Sequence, residues 1–197
     1  MKDGTLQRAG GLLLIFTILC GLAYMLAMTG IAQLLFPYQA NGSLITVKGH
    51  TYSTLLGQSY SDDGHLWGRI VNVDTKTFTD SQGHEVMTAG PSNLSPASSR
   101  YKELVAQRVA RIVKADPKAD TASIPEDLVT CSGSGLDPDI SPAAADYQVP
   151  RIAAATGRSP GQVRAIIQKY TTGRFLGLFG EPRVNVLEVN LALDGIL

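Results

Sequence analysis

Residues 10–36 read GGLLLIFTILCGLAYMLAMTGIAQLLF, and this stretch decides the fold. It runs for 27 positions without a charged residue. As a helix rising about 1.5 Å per residue it would be about 40 Å long. A bilayer hydrocarbon core of about 30 Å takes around 20 apolar residues, so the segment is long enough to cross with some tilt. Two other readings compete with a membrane anchor. A cleaved signal peptide would use Lys2 and Arg8 as its basic start and Gly30-Ile31-Ala32 as a small-x-small cleavage site. Signal-peptide apolar cores usually run about 7–15 residues, and no sharp polar boundary precedes Ala32. A buried core helix seldom runs uncharged for so long. Length favours the anchor. Within it Thr17, Tyr24, Thr29 and Gln33 are the polar residues, and Gly10, Gly11, Gly21, Ala27 and Gly30 are small enough for other membrane helices to come close.

Outward from this span, the chain divides into a short N-terminus at 1–9, the transmembrane helix at 10–36 and one soluble domain at 37–197. Lys2, Arg8 and the N-terminal amine flank one end of the span, and the next cation past the other end is Lys48. That bias places the N-terminus in the cytoplasm and the domain outside, periplasmic or extracellular. Over 197 residues, 17 Lys and Arg balance 17 Asp and Glu. No basic cluster occurs, so no nucleic-acid partner is expected. The two cysteines, Cys20 in mid-span and Cys131 in the domain, should not meet, and no disulfide is expected.

After the span, Pro37 ends the helix and Asn41-Gly42 marks a turn. Leu44–Tyr52 reads as a short hairpin turning at Lys48-Gly49. Residues 51–90 read as short strands and turns. His50, His65 and His84 lack ligand spacing, so no metal site is expected. Ser95-Pro96 reads as a capped helix start, with Tyr101, Leu104, Val105, Val109 and Ile112 on one face and Asp116-Pro117 as the stop. Arg100, Lys102, Arg108, Arg111 and Lys114 dress the other face, either as a solvated surface or as a contact for an acidic partner or ligand. Ser141-Pro142 and Ser159-Pro160 open further helices, with a break at Pro150 and a stop at Gly157. Alternation over Arg183–Leu193 reads as a half-buried strand. The elements do not alternate regularly, so the expected class is α+β behind a single N-terminal transmembrane helix.

The loop from Thr130 to Pro142 is rich in small and oxygen-bearing residues. Gly133 and Gly135 allow positive φ, and Ser132, Ser134, Asp137 and Asp139 offer oxygens. A Walker-type phosphate loop is absent, a serine nucleophile lacks its elbow and histidine, and two aspartates are thin for calcium. A rigid loop capped by its own oxygens and a loop shaped for a partner or ligand both remain open.

Several blocks resemble the C subunit of the Kdp potassium-transporting ATPase. They are TGIAQLLFPYQANGSLI at 29–45, Gly57-Gln58-Ser59-Tyr60 with Trp67-Gly68-Arg69, Gly90-Pro91-Ser92-Asn93-Leu94, Asp127–Pro142, Ala145–Arg151 and Gly180–Asp194. Ile70-Val71 stands where the family carries Pro-Ser, and Cys131 where Ala is usual. The resemblance covers nearly the whole chain in order. It implies a non-catalytic accessory subunit of the ATP-driven potassium import complex, in the cell membrane with its domain on the outer side. Its partners would be a channel-like A subunit, a P-type ATPase B subunit and a small F subunit, with membrane lipid around the span. Two roles follow. One is assembly with a catalytic-chaperone function that raises the B subunit's affinity for ATP, with no intrinsic cofactor and with nucleotide contacts at Ser132, Gly133, Ser134, Gly135 and Gln148. The other is an outer-side cap on the A subunit without nucleotide. The partner contact expected from position at the membrane exit is Gln39, Ala40, Asn41, Gly42 and Ser43. An anchored binding module without these partners, or a secreted hydrolase cleaved after Ala32, would be distinguished by what co-purifies and by the mature N-terminus.

Overall fold

A computed structural model describes residues 3–197 as two compact units, one up to Thr46 and one from Val47 to Leu197. The first is almost entirely helical. Helix α1 (Asp3–Ile18) runs through one π-turn, Leu19–Ala23, into α2 (Tyr24–Leu35) without a break. The stretch Gly4–Leu35 is long and apolar enough to cross a membrane, and none of its most apolar window is buried against protein. The helix therefore begins earlier than residue 10 and stops just short of Phe36. Inside it, the Thr17 hydroxyl donates to the Leu13 carbonyl at 2.8 Å, which satisfies that polar group within the helix itself. In the π-turn the Tyr24 amide reaches back five residues to the Leu19 carbonyl. Phe36 leaves helical geometry, and Pro37 restarts one turn, α3 (Pro37–Ala40).

The boundary between the units falls within β1 (Leu44–Val47). A two-residue turn, Lys48-Gly49, joins β1 to β2 (His50–Ser53), with positive φ at both turn residues as such hairpins require.

The second unit is an α+β domain. Strands β3 (Val73–Thr79) and β4 (Glu85–Ala89) form an exposed antiparallel hairpin, with an irregularity between Asp74 and Phe78. Helix α4 (Ser99–Ala115) follows. Its start differs from the expected one at Ser95-Pro96. The Ser95 carbonyl instead closes a turn onto the Ser98 amide, and the Ser98 side chain caps the helix through the Tyr101 amide. Past two short 3-10 turns at Thr121–Ser123 and Glu126–Leu128 comes β5 (Asp139–Ile140). Ser141 caps α5 (Pro142–Tyr147), the chain breaks at Gln148, and α6 (Val149–Thr156) ends on Gly157 at φ +71°. A capping box of Ser159 and Gln162 opens α7 (Pro160–Lys169), followed by β6 (Thr171–Thr172).

The expected strand over Arg183–Leu193 is corrected. Only β7 (Arg183–Asn185) is extended, and Val186–Leu193 is helix α8. Asn185 caps it, accepting from the Glu188 amide at 3.1 Å. Val186, Leu187, Val189, Asn190, Leu191 and Leu193 are all buried, so α8 is enclosed on nearly every side and has no polar face to show a helical period. Strand β7 sits centrally in a small antiparallel sheet, β5-β7-β6. Ile140, Val149, Ile152, Val163, Val184 and Val189 build the core beside it, with Leu66 and Trp67 brought in from the long segment before β3.

Candidate functional site

The expected site residues lie in three places. At the membrane exit, Gln39–Ser43 form one tight turn closed by amides of Asn41, Gly42 and Ser43 on the carbonyls of Pro37, Gln39 and Tyr38. Gly42 and Ser43 both have positive φ, at 90° and 50°. The Asn41 amide donates to the Gln33 side chain at 3.0 Å and to the Pro37 carbonyl at 2.7 Å, and Gln33 returns a hydrogen bond at 3.4 Å. Gln33, the polar residue nearest the end of the apolar span, is thus held by this turn. Gln39 and Ala40 stay exposed, while Ser43 is buried.

The Ser132–Gly135 loop is built inward. The Ser132 hydroxyl accepts from the Gly135 amide at 3.0 Å and the Asp137 amide at 3.4 Å, and the Ser134 hydroxyl accepts from the Leu136 amide at 3.2 Å. Gly135 sits at φ +72° against the backbone of Asn72 and Gly90, and the Leu136 carbonyl accepts from the Gly57 amide at 2.7 Å. The loop ties three distant segments together. Next to it the Ile70 amide donates to the Thr130 carbonyl at 3.2 Å. A proline at position 70, as in the family pattern, has no N–H to give.

Gln148 lies elsewhere, 3% exposed. Its carbonyl oxygen accepts from the Trp67 amide at 2.9 Å and from Arg151 Nη2 at 2.6 Å. Its amide donates to the Trp67 carbonyl at 3.0 Å and the Ala144 carbonyl at 3.1 Å. Asn190 grips Leu66 in the same way, accepting from its amide at 2.7 Å and donating to its carbonyl at 2.9 Å. Two buried side-chain amides thus give residues 66–67 the hydrogen bonds that a neighbouring strand would supply. No hydrogen bond links Gln148 to the Ser132–Gly135 loop, so the residues expected to bind nucleotide fall into two separate networks.

The Trp67 ring lies between two guanidinium groups, Arg111 at 4.0 Å and Arg151 at 3.9 Å from its centroid. Arg151 also donates to the carbonyls of Asp63 and His65 at 2.7 and 3.0 Å. Burial lowers its pKa to about 10, with the Asp63 charge opposing the shift. His65 bridges Asp62 at 2.8 Å and Asp194 at 3.0 Å. Burial alone would lower its pKa, but the hydrogen bonds to Asp62 and Asp194 outweigh it and the net shift is upward. Sequence reading missed the roles of Trp67, Asn190 and Gln33. The Gln148-x-x-Arg151 spacing, with Gln148 immediately before α6 and Arg151 in its first turn, is the signal that could have exposed the first.

A cleft of about 740 Å³ opens beside this network, lined by Asp116, Lys118, Asp120, Asp146, Tyr147 and Arg164 among others. Neither Gln148 nor the Ser132–Gly135 loop borders it. Among the described residues no group of three or more His, Cys, Asp and Glu side chains is arranged to hold a metal.

A family model described as "K+-transporting ATPase, c chain" matches residues 6–195. The chain belongs to the KdpC family. It is 57% identical over 185 residues to the potassium-transporting ATPase KdpC subunit of Clostridium botulinum (strain Alaska E43 / Type E3), covering 93% of this chain and 92% of that one. It is 48% identical over 188 residues to the KdpC subunit of Rhodopseudomonas palustris (strain BisB5), covering 92% of both. The span, the exit turn and the Trp67 network therefore all lie within the part shared with KdpC proteins.

Proposed function

We propose that this chain is the non-catalytic accessory subunit of a potassium-transporting ATPase, anchored by its one apolar helix and docked to membrane-embedded partner subunits. The observation that carries this reading is the KdpC match from residue 6 to 195, which takes in span and domain together. The N-terminus is cytoplasmic and the domain lies on the outer side, a reading supported by Lys2 and Arg8 flanking the start of the span.

A docking role, in assembly and as a cap on the channel-like A subunit, agrees with how the polar groups are used. Gln148 and Ser132 are already satisfied within the domain. Nucleotide bound at Ser132–Gly135 or Gln148, as the catalytic-chaperone reading asks, would have to displace those bonds and would have to reach ATP across the membrane. A further support is the tip at Phe175–Phe179, which exposes Phe175, Leu176, Leu178 and Phe179 by 64–76%. Apolar exposure of that extent marks a surface that another molecule covers. The exit turn Gln39–Ser43 is the proposed contact with the A subunit, because its position at the membrane surface is forced by the span.

The test is purification of the tagged, natively expressed chain in mild detergent. The expected result is recovery of the channel-like and P-type ATPase subunits with ATP hydrolysis. Asn41→Leu, which breaks the pairing with Gln33, should lower complex yield while the domain stays folded. A chain that purifies alone would overturn the reading.

A further inference from the structure

Helix α4 carries a row of basic residues, and two of them face a cleft. Arg108 and Arg111 line a pocket of about 230 Å³ together with Arg69, Gln58, Ser59 and Tyr60. The three guanidinium groups are short of acceptors. The Arg69 Nε is buried with no hydrogen-bond partner. Arg69 Nη2 reaches only the Thr130 hydroxyl at 3.4 Å and the Cys131 carbonyl at 3.5 Å. Asp127 and Asp137 come within 3.9 and 3.7 Å of Nη1, outside hydrogen-bond range. Arg108 is half-buried and makes no hydrogen bond or ion pair among the described residues. Burial lowers its pKa, the Cys131 sulfur opposes that shift, and the Arg111 charge adds to it. Arg111 spends one nitrogen on the Tyr60 carbonyl at 2.8 Å and its face on the Trp67 ring. Each guanidinium carries five N–H donors and none can shed its charge at ordinary pH. The cleft therefore gathers three guanidinium groups whose ion pairs, Asp127 and Asp137 at 3.9 and 3.7 Å, serve Arg69 alone, and it keeps unmet donors on Arg69 Nε and Arg108.

We propose that this cleft is a binding site for a phosphate-type oxyanion, supplied either as free phosphate or as the phosphodiester of a lipid headgroup. A tetrahedral oxyanion brings several acceptors and negative charge at once, and arginine forks match its geometry with pairs of short, charge-assisted bonds. Arg108 and Arg69 are the principal donors. Ser59 and Gln58 add neutral donors at the rim. The site is distinct from the Ser132–Gly135 loop and needs no partner subunit, so its test stands apart from the docking reading.

The chain contains a single tryptophan, and Trp67 lies in the wall of this cleft under Arg111. Its fluorescence is followed in the purified full chain while inorganic phosphate replaces chloride at constant ionic strength. The same signal is compared in nanodiscs of phosphatidylglycerol and of phosphatidylcholine. A saturable change with phosphate, shifted about tenfold to higher concentration in Arg108→Gln, supports a free oxyanion as the source; that is the loss of one charge-assisted contact. A difference between the two nanodiscs that Arg108→Gln removes supports the headgroup. Arg108→Lys, which keeps the charge and loses the fork, should fall between, and Arg164→Gln outside the cleft should change nothing. Circular dichroism checks that each variant is folded. No saturable response to phosphate and none to phosphatidylglycerol, or responses unchanged in Arg108→Gln, would overturn the proposal.

Discussion

Gly135 shows how much one missing side chain can matter. A Cβ at this position would lie 2.5 Å from the Gly90 carbonyl oxygen and 2.6 Å from that of Asn72, at a φ of +72° that already disfavours any other residue. Gly133, two residues earlier, has open space around it. Gly135→Ala should therefore cost about 2–4 kcal/mol in chemical denaturation, and Gly133→Ala within about 1. Sequence marked both glycines as free to take positive φ; only packing tells them apart, because the atoms they would meet come from residues 72 and 90. His65 gives a second prediction at this scale. Its pKa in the folded domain is raised above the ordinary value of 6.5. The stability it adds is then complete below that ordinary value and is lost as pH rises through the raised one. Urea midpoints of the wild-type chain should fall from mildly acid to mildly alkaline pH, and His65→Asn should flatten that slope. Tyr60, whose ring lies 5.3 Å away, and the two carboxylates at Asp62 and Asp194 are the groups facing it. An unchanged slope in the variant would show that another group titrates there.

Helix starts and stops were largely legible because they depend on neighbours in sequence. Ser141, Ser159 and Gly157 do what their chemistry predicts. Ser95-Pro96 misled because Ser98, three residues on, offers an equally good cap and leads directly into the apolar face. Helix α8 misled for another reason. Its apolar residues are buried on every side, so hydrophobic period carries no information about its conformation, and the chance alternation of Asn185, Leu187, Val189 and Leu191 filled the gap. Asn185 followed by Glu188 was the cap signal present in the sequence. The polar residue in α8 that matters most is Asn190. Asn190→Ala would leave both the amide and the carbonyl of Leu66 buried without partners, an expected cost of about 3 kcal/mol by denaturant titration. Gln148 could be read as a site residue from its pattern, yet its use within the domain could not, since its partner Trp67 is 81 residues away.

At the scale of the molecule, the apolar span was legible from composition alone, and Gly4–Leu35 forms a helix long and apolar enough to cross a membrane. The side on which the domain lies is open to a direct measurement. Cys131, half-buried, is the domain's only cysteine, and Cys20 lies inside the apolar helix. A membrane-impermeant thiol reagent applied to intact cells after mild unfolding should label Cys131. Labelling that appears only after lysis would reverse the orientation. The domain is also closed by its two ends. Leu66 is held by Asn190, His65 by Asp194 and Thr54 by Asn185, pairs separated by 124, 129 and 131 residues. Such closure has a consequence in time. Contacts this far apart along the chain cannot form until the later partner has been made, so nearly the whole domain must be synthesised before its core can close. A nascent chain halted before residue 186 should remain protease-sensitive up to the anchor. On the proposed outer-side placement, that delay keeps the domain threadable through a translocation pore for as long as synthesis lasts, and its core closes only when the last helix arrives.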